Sequence, residues 1–189
     1  QGFMAEVSTP AVPGGTIEFT FATAGKNASI DPAFYGRRAP GAFVHFRLRG
    51  TMDTGARVRD EAAYVRFADE AGFGWDRHDL SKPSAPTAAY ALLAPVGERD
   101  GEPYRQGVLS LPTAAGALAT PLAFTANGAG TFTIEWTASN VAATLVDRET
   151  GTRVDLVEGG SYTFDATPTE WTERFEVQFA SAAVANEDG

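Results

Sequence analysis

The chain has no cysteine, so neither a disulfide nor a thiolate site is open to it, and cysteine usage does not report its redox compartment. It has two histidines, His45 and His78, too few for a multi-histidine metal centre. Lysine is nearly absent, Lys26 and Lys82 standing among arginines. Lys and Arg together number 15 against 24 Asp and Glu, a net charge of −9 that excludes the cationic surface needed to displace counterions from nucleic acid or to meet anionic lipid. No apolar run approaches the roughly 18 residues of a membrane helix, so membrane insertion is not expected. No Gly-x-Ser-x-Gly elbow and no Gly-rich phosphate loop occur. A basic, apolar leader does not precede Gln1-Gly2-Phe3, and for an exported protein the expectation is that a signal peptide has been removed.

What the sequence does contain is alternation. Phe132, Ile134 and Trp136 share one face against Thr131, Thr133 and Glu135, and Phe175, Val177 and Phe179 repeat the pattern against Arg174, Glu176 and Gln178. A period of two marks strands with one face on a core and one in water. Val44, Phe46 and Leu48 against His45, Arg47 and Arg49 make a third such strand. Two hairpins are expected between the first two blocks. One joins 143–147 to 152–156 through Arg148-Glu149-Thr150-Gly151, and the next turns at Glu158-Gly159-Gly160 into 161–165. Further strands are read at 3–8, 17–21, 62–67, 90–95, 108–111 and 121–124, a total of about ten to twelve, with a polar turn at 97–103 and no helical period of useful length.

With 189 residues, 43% apolar and 11% aromatic, the chain is long enough for one substantial core, and its 20 Gly and 11 Pro lie between the alternating runs as turns do. The expected fold is all-β, a single antiparallel jelly-roll-like β-sandwich over residues 1–181, followed by an acidic tail at 182–189. Its expected core includes Phe19, Phe46, Leu48, Val65, Leu109, Leu111, Phe132, Ile134, Trp136, Leu145, Phe164, Phe175 and Val177. The segment 25–41 reads as a long surface loop, and Asn27-Ala28-Ser29 within it is a weak glycosylation match.

The least regular segment, 69–86, carries Phe73 and Trp75 among Gly72, Gly74, Pro83 and Pro86, and loops of this kind often carry function. Trp75 and Trp171 are the candidates for stacking on a sugar ring, against the commoner role of aromatics that plug a sandwich end; Trp136 is in phase with the core. Asp76 and Asp79 are candidate ligand contacts and candidate oxygen ligands for Ca²⁺, against the plainer reading that they cap turns or pair with Arg77 and Lys82. The acidic set Asp147, Glu149, Asp155 and Glu158 reads as hairpin arms facing water, and neither histidine is well placed as a catalytic base. No enzyme activity is expected.

The succession Ala63-Tyr64-Val65-Arg66-Phe67, Ala71-Gly72-Phe73-Gly74-Trp75-Asp76, Asp79-Leu80-Ser81-Lys82, Ala89-Tyr90-Ala91-Leu92, Leu109-Ser110-Leu111-Pro112, Thr120-Pro121-Leu122 and Gly130-Thr131-Phe132-Thr133-Ile134 resembles a β-sandwich module of secreted Bacteroidota and Rhodothermota proteins. The likeness covers roughly residues 40–180. In those proteins the module commonly precedes a C-terminal sorting domain for type IX secretion, so the resemblance implies a secreted, cell-surface, non-catalytic protein. The resemblance leads to the expectation that 182–189 is the acidic linker before such a domain, with the sorting domain itself removed. Two functions are expected. The first is a structural subunit of a surface fibre or layer, with itself as partner, in which Phe3, Ala5 and Val7 form a strand donated to a neighbour's sheet. The alternative is a carbohydrate-binding or adhesion module with a surface polysaccharide as partner.

Overall fold

The computed structural model describes residues 41–85, 87–157 and 159–180, of which 64% lie in strands and none in a helix. The expected strands at 3–8 and 17–21, with Phe3, Ala5, Val7 and Phe19, the loop at 25–41 up to its last residue, and the tail at 182–189 lie outside the described residues.

The strands are β1 (Phe43–Met52), β2 (Arg57–Ala68), β3 (Leu80–Ser81), β4 (Ala91–Arg99), β5 (Glu102–Pro112), β6 (Leu118–Ala126), β7 (Gly130–Ser139), β8 (Ala143–Asp147), β9 (Arg153–Asp155), β10 (Ser161–Ala166) and β11 (Thr169–Phe179). They follow the path β10-β7-β1-β2-β5-β4-β6-β11-β8-β9, with β3 added against β5. Strand β4 turns the corner: Ala91–Pro95 pair with β6, and Val96–Arg99 pair with β5 across an Asp100-Gly101 turn. Both turn residues have positive φ, 56° and 82°, the conformation a tight two-residue hairpin requires. The ends of the path meet through side chains. Tyr162 of β10 donates to Asp147 Oδ2 of β8 at 2.9 Å, and Arg174 of β11 donates to Asp147 at 2.8 Å and to the Asp165 carbonyl of β10 at 2.9 Å.

The described residues are therefore all-β, one mixed sheet nearly closed into a barrel. Two expectations are corrected. The sheet is not antiparallel throughout, because β2 and β5 run parallel from Tyr64↔Val108 to Ala68↔Pro112. The chain between them, 69–101, is long enough for the crossover that a parallel pair demands. Nor do β9 and β10 form the expected hairpin: they stand at opposite ends of the path, and β10 pairs with β7. The indole of Trp136 governs this crossing, its Nε1 donating to the Val157 carbonyl at 2.8 Å and its backbone amide to the Gly160 carbonyl at 3.2 Å. Gly160 supplies room for the ring, since a Cβ there would lie 2.3 Å from Trp136 Cζ2.

The core matches the alternation. Val44, Phe46 and Leu48 are buried while His45, Arg47 and Arg49 are not, and every expected core residue from Phe46 to Val177 among the described residues is buried. At its centre Phe124 meets Phe132, Phe164 and Phe175 edge to face at 5.3, 5.2 and 6.4 Å, within the range where aromatic pairs add to area burial.

Candidate binding cleft

The segment between β2 and β4 is held by its own aspartates. Asp76 accepts from the Gly72 amide (2.8 Å) and the His78 amide (2.6 Å), and these bonds hold its carboxyl below the ordinary range. Asp79 accepts from the Asp76 amide at 3.0 Å and from the Ser110 amide at 2.8 Å. The Gln106 amide, oriented to suit its neighbours, also donates to Asp79. Asp79 is buried, and it covers an edge amide of β5 just beyond the two residues where β3 pairs. All four carboxylate oxygens thus accept from N–H groups, and a Ca²⁺ ion held by Asp76 and Asp79 would have to displace these bonds. Among the described residues no group of three or more His, Cys, Asp or Glu side chains is placed to hold a metal ion. Of the two plain roles expected for Asp76 and Asp79, capping amides is the one observed, and Lys82 pairs elsewhere. Its ammonium donates to Asp60 Oδ2 and to the Ala62 carbonyl, both at 2.6 Å. The cause is a β-bulge in β2, where Phe46↔Ala63 is followed by Leu48↔Asp60, so that the extra residue turns Asp60 inward. Burial of Lys82 lowers its pKa, against the opposing pull of Asp60.

Trp75 is half-buried against the β4–β5 hairpin. Its amide donates to the Glu98 carbonyl at 2.9 Å, its ring meets Tyr104 edge to face at 5.1 Å, and the Arg99 guanidinium lies 4.8 Å from its centroid. Tyr104 in turn carries the contact into an open cleft of about 1040 Å³ between residues 82–85, the strands β4, β5 and β6, and the start of β11. Trp171 lines this cleft with Tyr90, Tyr104, Arg105, Asn127 and Glu170. The Arg105 guanidinium sits 5.1 Å from the Trp171 ring centroid. Two irregularities in β11 re-aim this strand: Thr169↔Ala126 is followed by Thr172↔Phe124, then Phe175↔Leu122, one extra residue on β11 each time. The cleft wall is braced, Tyr104 Oη lying 3.1 Å from Ser81 Oγ and Asn127 Oδ1 accepting from the Tyr90 amide at 2.9 Å.

Of the sequence candidates, Trp171 lines the cleft, Trp75 reaches it through Tyr104, and Asp76 and Asp79 lie in the neighbouring loop with their carboxylates turned to backbone amides. Arg105 and Asn127 were not legible as cleft residues. Asp147, expected to face water, is buried and accepts from Arg174, Tyr162 and the Glu149 amide. His45 stacks on Tyr64 at 3.9 Å, with its Nε2 2.8 Å from the Glu61 carbonyl. Comparison with protein-family models, curated proteins and solved structures finds no match to this chain.

Proposed function

We propose that the protein is a non-catalytic extracellular module that binds a polysaccharide in the cleft at Trp171. The observation that carries this reading is the cleft itself, about 1040 Å³ and open, with the rings of Trp171, Tyr104 and Tyr90 on its walls beside polar side chains. Apolar ring faces with a few polar groups are what a pyranose needs, and an open groove admits a polymer where a closed pocket would not. The extracellular assignment rests on the resemblance of residues 40–180 to the module of secreted proteins that precedes a type IX sorting domain. A non-catalytic role is supported by the chemistry already engaged: the Asp76 and Asp79 carboxylates cap amides, and His45 is stacked and bonded to backbone. Affinity electrophoresis and calorimetry against a panel of polysaccharides test the reading. Binding by the parent that Trp171→Ala and Tyr104→Ala abolish is expected, and binding that both variants retain would move the site elsewhere.

A self-associating subunit of a surface fibre or layer is the second reading, and open sheet edges favour it. Among the described residues, strands β9 and β10 each have a backbone partner on one side only, and such edges accept an added strand. The donated strand would be Phe3, Ala5 and Val7, and deletion of residues 1–9 tests it: a variant that assembles as the parent does would dismiss the donor strand.

A further inference from the structure

Arg105 is the feature of the cleft that a neutral sugar does not account for. The chain has 24 acidic against 15 basic residues, so carboxylates are in excess. Arg49, Arg59, Arg77, Arg99, Arg148 and Arg174 each have one within ion-pair distance, and Arg47, Arg66 and Arg153 instead donate to Thr137, to Ser110 and the His78 carbonyl, and to Gln178, away from the cleft lining. Arg105 is exposed in the cleft, and among the described residues no carboxylate pairs with it; what holds it is the Trp171 ring. A guanidinium placed over an indole keeps its N–H donors at its edge, where one carboxylate accepts two of them in a plane. The other cation of the cleft, Lys82, is neutralised by Asp60 and buried.

We infer that the cleft takes a polysaccharide containing uronic acid, whose carboxylate pairs with Arg105 while its ring lies against Trp171 or the tyrosines; this rests on the reading of the cleft as a polysaccharide site. Glu170 lines the same cleft and opposes an anion. Its effect is therefore diagnostic: removing that charge strengthens binding of an acidic polymer and leaves a neutral one unchanged.

The test is affinity electrophoresis of the full chain in gels holding polygalacturonate or alginate, a neutral galactan or β-glucan, or polyglutamate, which carries carboxylates without sugar rings. The expected result is retardation by the uronate polymers above the others, weakening as NaCl is raised. Arg105→Gln should lower uronate affinity at least about tenfold, the scale of a hydrogen bond to a charged group, with Arg105→Lys intermediate and Glu170→Gln tighter than the parent. Arg105 makes no side-chain hydrogen bond among the described residues, so these variants should keep the parent's circular dichroism. Neutral polymers retarding the protein as strongly, with Arg105→Gln unchanged, would overturn the carboxylate assignment and leave the polysaccharide site standing. Equal retardation by polyglutamate would overturn it by reducing recognition to charge alone. No retardation by any polysaccharide would overturn both readings.

Discussion

Replacing Asp147 with Ala should unfasten the place where the two ends of the sheet path meet. Asp147 is almost wholly inaccessible, 1% for its side chain, and its main partner Arg174 is 10% exposed. The carboxylate also accepts from the Tyr162 hydroxyl and the Glu149 amide, so one truncation strands a guanidinium, a phenol and an N–H together. Removing one member of a buried ion pair costs about 3 to 5 kcal/mol, because the partner charge stays behind unpaired. Glu149 lies 2.7 Å from Arg174 Nη1 and continues to compensate it, which places the expected loss near the lower end, about 3 kcal/mol. Denaturant unfolding followed by tryptophan fluorescence measures this as a lower midpoint with an unchanged slope. Arg174→Met added to Asp147→Ala should recover part of the loss, since it removes the stranded charge. The same site carries a pH signature. Burial by itself would raise the Asp147 carboxyl, but hydrogen bonds from Arg174, Tyr162 and the Glu149 amide hold it below its ordinary value. Its stabilisation is therefore complete above the unfolded carboxyl pKa of about 4 and is lost as pH falls through the lower folded value. An Asp147→Asn variant should show a shallower fall in stability over that acid range. A loss under about 1 kcal/mol for Asp147→Ala, with the acid slope intact in Asp147→Asn, would refute the seam argument.

Two further predictions concern the core crossing and the loop. Trp136→Ala should cost about 3 to 5 kcal/mol in the same unfolding assay, because the ring is 1% exposed and its Nε1 holds the Val157 carbonyl. Asp79→Ala should cost about 1 to 3 kcal/mol by leaving the buried Ser110 amide unpaired and should speed amide exchange across 72–80, whereas calorimetry of the parent with Ca²⁺ should give no heat, since the Asp76 and Asp79 oxygens already serve amides.

Strands whose two faces differ were legible, and those bent by a bulge were not. In β1 and β7 the inward and outward sets never change phase, so Val44 to Leu48 and Phe132 to Trp136 could be read from alternation alone, whereas in β8 the polar Asp147 takes an inward position that residue type assigns to water. In β2 the buried set is Val58 and Asp60, then Ala63, Val65 and Phe67. The extra residue between them flips the parity, which is why the sequence yields only 62–67 and hides the start of the strand. The polar ribbon around Asp100-Gly101 has water on both faces near its tip, so the sequence shows a turn at 97–103 where strands of nine and eleven residues run into it. The parallel β2–β5 pair has no local trace, because alternation fixes which way a side chain points and says nothing of which strand lies alongside.

The cleft was harder to read for a related reason: its parts are distant in sequence and the strand that carries Trp171 is irregular. Arg105 and Trp171 stand on β5 and β11, which β4 and β6 separate in the sheet order, and they meet through side chains with no pairing between their strands, β4 changing partners after Pro95. Within β11 the regular phase holds only from Phe175 onward, where Phe175, Val177 and Phe179 are buried. Upstream, the two extra residues break the count, so the side of the sheet on which Trp171 falls could not be inferred from Phe175. The same irregularity lets Arg174, which alternation places outside, turn back onto Asp147 and lie 4.6 Å from the Phe164 ring centroid. One short stretch thus supplies both an aromatic wall of the cleft and the cation that fastens the sheet. A deletion that regularises it, removing Glu173 between Thr172 and Phe175, should therefore disturb binding and stability together, whereas Trp171→Ala should touch binding alone.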